Sequence, residues 1–62
     1  MQLIINNDKK QLEFTGEIQK LLKQEKIRRE EVVIKVNGKL APETTIVGDK
    51  DTVEIIKVVF GG

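Results

Sequence analysis

Only one stretch of this chain repeats with the period of a helix, and it lies between stretches that alternate. Ile18, Leu21 and Leu22 fall on one helical face, Thr15 offers an N-cap oxygen, Glu17 sits in the first turn, and Lys23 and Lys26 near the end suit the helix dipole. The spacing predicts a short helix of about eight to eleven residues. Before it, Met1, Leu3 and Ile5 alternate with Gln2, Ile4 and Asn6, which predicts a strand closed by the turn-tolerant Asn6-Asn7-Asp8. Segment 10–14, with Leu12 and Phe14 on one face, returns as its hairpin partner. After the helix, the β-branched run Val32-Val33-Ile34-Lys35-Val36 meets Asn37-Gly38, a strong hairpin dipeptide, and turns into Lys39-Leu40. Pro42 keeps the next stretch out of a central strand, so an irregular path with a short edge segment is expected up to Val47. Gly48-Asp49-Lys50-Asp51 predicts another turn, and segment 52–60 the longest strand.

A β-β-α-β-β order with a single helix predicts an α+β fold, a mixed sheet with one face covered by the helix. The right-handed crossover rule places the third strand beside the first, under the helix. The last strand is apolar on both sides, with Val53 and Ile55 on one and Ile56, Val58 and Phe60 on the other. One side belongs to the core. The other, joined by Ile4, makes an apolar patch of the kind that marks a partner site; the competing expectation is a sticky strand shielded by lysine stems.

A length of 62 residues means one small domain with little room for a deep pocket: residues 1–60 as the folded part and 61–62 as a flexible tail. Hydrophobic residues make up 39% and charged ones 34%, the balance of a compact soluble chain. The absence of Cys removes disulfides and thiolate metal sites, no leader or membrane-spanning run is evident, and a cytoplasmic location is expected. His, Ser, Tyr and Trp are also absent, so the usual nucleophiles and the near-neutral general base are missing, and the chain is not expected to be an enzyme or to bind a metal. The carboxylates of Glu30-Glu31 and Asp49-Lys50-Asp51 read as surface charge and turn chemistry, and segment 49–54 lacks the glycine and the length of a calcium loop. Net charge is +1, and the one basic cluster, Lys26-Ile27-Arg28-Arg29, runs straight into Glu30-Glu31 with no aromatic platform beside it. It reads as a solvated loop, not as a nucleic-acid site.

The end of the chain, Val58-Val59-Phe60-Gly61-Gly62, completes a pattern. The element order, the opening "MQLII", the turn "KVNGKLAP", the acidic turn "GDKDTVEII" and the terminal "GG" together resemble the ubiquitin-like β-grasp sulfur carriers of the ThiS and MoaD families, over nearly the whole chain and most specifically from Val36 onward. The resemblance implies that the Gly62 carboxylate is adenylated by an E1-like (ThiF/MoeB-like) partner using ATP, converted to a thiocarboxylate, and drawn on by a sulfur-accepting synthase. The carrier itself binds no cofactor. Gly61 would pass through the partner's channel, and Ile4, Ile56, Val58, Val59 and Phe60 would meet the partner. Lacking a Cβ, glycine lets the backbone approach a nucleotide closely, which gives the diglycine a physical purpose. Asn37 and Gly38 are assigned to the fold.

The chain departs from the family pattern where Lys50 stands between two acidic residues in place of the glycine often found there, so an altered turn is expected. Its length, and the absence of a proline before the glycines, favour the thiamin-thiazole branch over the molybdopterin branch; carriage for tRNA thiolation and conjugation to lysines remain alternatives. Outside the carrier class, a ubiquitin-like binding module that is never activated would use the same apolar face. It would not need a free Gly62 carboxylate.

Overall fold

The sheet is built around the strand that comes last in the chain. The computed structural model describes residues 1–28 and 32–58. Its elements are β1 (Gln2–Ile5), β2 (Asp8–Gln11), β3 (Gly16–Glu17), α1 (Ile18–Gln24), β4 (Val32–Val36), β5 (Lys39–Leu40), β6 (Ile46–Val47) and β7 (Thr52–Lys57). Five strands form a mixed sheet in the order β2-β1-β7-β4-β5, while β3 and β6 make a separate two-stranded ribbon. β7 runs parallel to β1 and antiparallel to β4. This is an α+β arrangement, as the element order predicts, and a β-grasp, as the family resemblance implies.

The expected placing of the third strand beside the first is corrected: β7 lies between β1 and β4. β7, the longest described strand, pairs along one edge with β1 and along the other with β4, so its place is fixed by pairings between strands far apart in sequence. β1 and β4 are each satisfied by one hairpin neighbour and by β7. The alternation along β7 then buries Val53 and Ile55 completely, together with Leu3 of β1, Ile34 of β4, Ile18, Leu21 and Leu22 of α1, Val47 of β6 and Met1. Leu12 and Phe14, expected inside the second strand, lie beyond its end at Gln11 but still pack against this core. The Leu12 N–H donates to the Met1 carbonyl and the Met1 ammonium to the Leu12 carbonyl, which carries the hairpin one step past β2.

The helix begins later and ends sooner than expected. Thr15 does not cap it: the N-cap is Glu17, in extended conformation and without a side-chain cap bond, because Gly16 and Glu17 are engaged in β3. The orphan amides of the first turn go to the loop before β6, with Ile18 N–H donating to the Thr45 carbonyl and Gln19 N–H to that of Glu43. A backbone segment far along the sequence does here what a side-chain cap usually does. At the other end, Lys26 N–H bonds the Lys23 carbonyl and Ile27 N–H that of Leu22. Lys26 lies at φ +59°. That is a Schellman stop with lysine in the left-handed place that glycine usually takes, at a cost of about 1–2 kcal/mol.

β7 also ends earlier than segment 52–60. Its last residue is Lys57, Val58 follows outside the strand, and Val59 and Phe60 lie outside the described residues.

Candidate docking face and tail root

Two asparagines hold the ends of β7. At its start, Asn37 occupies the left-handed position of the β4–β5 hairpin (φ +51°), where asparagine is tolerated and Gly38 follows at +85°. Its backbone N–H donates to the Thr52 carbonyl at 2.8 Å, its side-chain oxygen accepts the Thr52 N–H at 3.0 Å, and its amide nitrogen donates to Asp51 Oδ1 at 3.0 Å. Asp51 Oδ2 in turn accepts the Gly48 N–H at 2.8 Å, closing the turn. The bonds from Asn37, then from Gly48, with the N-terminal positive charge adding to them, outweigh desolvation and hold the Asp51 carboxyl below its ordinary value. The turn closes without a left-handed residue at Lys50, so glycine is not required there. Asn37 and Gly38 thus belong to the fold, as their turn chemistry indicates.

At the far end, Asn6 (φ +47°) donates its N–H to the Ile55 carbonyl and accepts the Lys57 N–H on its side-chain oxygen at 2.9 Å. This clamp holds the last residue of β7. Sequence reasoning gave Asn6 only a turn role, and its grip on Lys57 depends on a register between β1 and β7 that no local pattern encodes.

Strand alternation sets the opposite face of the sheet from the helix. Leu3 pairs with Val53 and Ile5 with Ile55 on the core side, so Ile4, Glu54 and Ile56 lie on the outer side, and Val58 follows directly after the strand's end. Val33 of β4 stands directly opposite Ile56, and Lys35 directly opposite Glu54. Ile4 is the diagonal neighbour of Ile56 across the parallel pair, within reach of side-chain contact. The structure therefore gathers Ile4, Val33 and Ile56 on one face, with Val58 directly after the last residue of β7. All four are half-buried, so the patch is partly shielded by its surroundings. Val33 was missed because a run of five mostly β-branched residues hides which member faces out; its register with Ile56 reveals it. Leu40, 73% exposed on β5 and opposite Lys35, widens the same face. Of the other expected site residues, Val59, Phe60, Gly61 and Gly62 lie outside the described residues.

A sequence model of the ThiS family matches residues 3–62. The fold is similar to the crystal structure of the thiamine biosynthesis protein ThiS from Geobacter metallireducens, with a TM-score of 0.69 and 26% identity, covering 100% of both chains. Among proteins of curated function, none matches the chain. No helix among the described residues is long and apolar enough to cross a membrane.

Proposed function

Because this chain belongs to the ThiS family, we propose that it is a sulfur carrier of thiamin thiazole biosynthesis, activated at the Gly62 carboxylate and working in the cytoplasm. The observation that carries the reading is the match over residues 3–62, which reaches through the diglycine itself. In the proposed cycle the Gly62 carboxylate attacks the α-phosphorus of ATP on an E1-like enzyme and pyrophosphate leaves. Hydrosulfide released by a donor then attacks the acyl carbon of the adenylate, the bond from that carbon to the phosphate oxygen breaks and AMP leaves, so that one carboxylate oxygen is replaced by sulfur. A synthase consumes that sulfur.

The division of labour follows from the side chains. With no His, Cys or Ser, the carrier supplies a carboxylate and a shape, while the partner provides the groups that stabilise the transition state. Val59 to Gly62 span roughly 13 Å at full extension, enough to enter a pocket while the domain stays outside. Gly61 lets the backbone pass a narrow channel. Ile4, Ile56 and Val58, with Val59 and Phe60, form the partner contact, and Val33 belongs with them because it faces Ile56.

The test is ATP–pyrophosphate exchange catalysed by the source organism's E1-like enzyme. Exchange is expected with the native chain and its loss on adding one residue after Gly62, which turns the reactive carboxylate into an amide. Exchange that survives the addition would contradict activation at Gly62; binding without exchange by the native chain would favour the binding module.

A further inference from the structure

Part of the basic cluster that reads as a solvated loop meets the last residue of β7 in a cleft. Lys26, Ile27, Arg28, Val32 and Lys57 line a cleft of about 150 Å³. Its lining combines the apolar Ile27 and Val32 with three cationic residues from two distant places in the chain: Lys26 and Arg28, at and after the helix stop, and Lys57, the last residue of β7. Among its described lining residues there is no carboxylate. Strand alternation places Lys57 on the opposite side of β7 from Ile56 and Val58, so the cleft and the apolar patch flank the tail root from the two sides of the sheet.

Lys26 is the informative member. It occupies a left-handed position at φ +59°, where glycine would complete the same helix stop without a Cβ penalty. A conformational cost borne at a surface position points to a use for the side chain. We infer that this cleft receives an acidic, carboxylate-bearing segment of the E1-like enzyme at the mouth of the channel that takes up the tail, an inference that rests on the carrier reading. The charge of the two lysines selects an anionic partner, and their place selects which one. Lys57 precedes Gly62 by five residues, so with the tail extended the cleft stands about 17 Å from the reacting carboxylate. That is too far for the nucleotide phosphates and suited to the rim of the enzyme. Carboxylates at the rim would steer encounter and fix orientation, the usual role of complementary charge at an interface.

The experiment is calorimetric titration of the source organism's E1-like enzyme with the native chain, Lys26→Gln, Lys26→Gly, Lys26→Arg and Lys57→Gln, at about 50 mM and about 500 mM salt. Adenylation and thermal melting are followed on the same samples. Lys26→Gln and Lys57→Gln should each weaken binding about 3- to 10-fold at low salt, with the difference falling below about 2-fold at high salt. Lys26→Arg should bind like the native chain. Lys26→Gly should lose affinity as Lys26→Gln does, yet melt no lower than the native chain and up to about 5 °C higher, because the left-handed strain is gone. That opposite movement of stability and affinity is the signature of a side chain kept for binding. Native affinity in both glutamine variants would overturn the proposal, as would variants that bind normally but are adenylated poorly, since the lysines would then act at the nucleotide. A native chain that binds in this salt-dependent way but is never adenylated would sink the carrier reading alone; one that does not bind overturns both.

Discussion

The two sides of β7 are made of similar residues and have opposite fates. Val53 and Ile55 point inward and are fully buried, whereas Ile56 and Val58, one residue out of phase, are only half-buried on a face that no helix covers. The same aliphatic chemistry folds the protein on one side and leaves an apolar surface on the other. A strand in the middle of a sheet that served the fold alone would carry polar residues outward, as Glu54 and Thr52 do on this very strand. On β7 itself the outward residues turn from polar to apolar toward the strand's C-terminal end. The difference teaches that one step of register along a single strand is enough to give the same aliphatic chemistry opposite burial.

The largest expected effect breaks the inner side. Ile55→Ala should cost about 2–5 kcal/mol, and a core of this size supplies only about 3–5 kcal/mol in all, so the variant should be largely unfolded by circular dichroism at room temperature. Ile56→Ala, the neighbouring residue and the same substitution, should lower the melting temperature by less than about 5 °C while weakening binding to the E1-like enzyme by about tenfold or more. Equal destabilisation by the two substitutions would erase the distinction between the faces.

A smaller effect sharpens the contrast at the anchored start of β7. The folded-state pKa of Asp51 is held below its ordinary value of 3.8 by the bonds from Asn37 and Gly48. A depressed carboxylate contributes stability that is fully present above its unfolded pKa and lost as pH falls through the lower folded value. The native chain should therefore melt above Asp51→Asn near neutral pH, and the gap should narrow as the pH drops below 3.8. A gap unchanged from about pH 6 to about pH 2 would mean that the carboxylate's charge contributes nothing there.

How much of this was legible beforehand follows from what is local. The hairpin at Asn37-Gly38, the two faces of the last strand and the core positions Leu3, Ile18, Leu21 and Leu22 were written in turn chemistry and periodicity, which act over a few residues. The insertion of β7 between β1 and β4 was not, because it depends on competition among strands far apart in sequence. Thr15 was misread as a cap for a related reason: its neighbours Gly16 and Glu17 pair with β6, and the loop before β6 supplies the carbonyls that the helix start needs. On the outer face, the placing of Ile4 and Ile56 followed from alternation alone, whereas that of Val33, and the grip of Asn6 on Lys57, emerged only once the register was known. The cleft was hidden most deeply. It joins Lys26 to Lys57 across 31 positions, and no motif links them.

The most direct measurement is the intact mass of the purified chain after incubation with ATP, the source organism's E1-like enzyme and a sulfide source. The account predicts a species in which one oxygen at the C-terminus is replaced by sulfur, and its absence when Gly62 is extended or removed. A native chain that binds the enzyme and is turned over with ATP present, yet never gains sulfur, would contradict the carrier function.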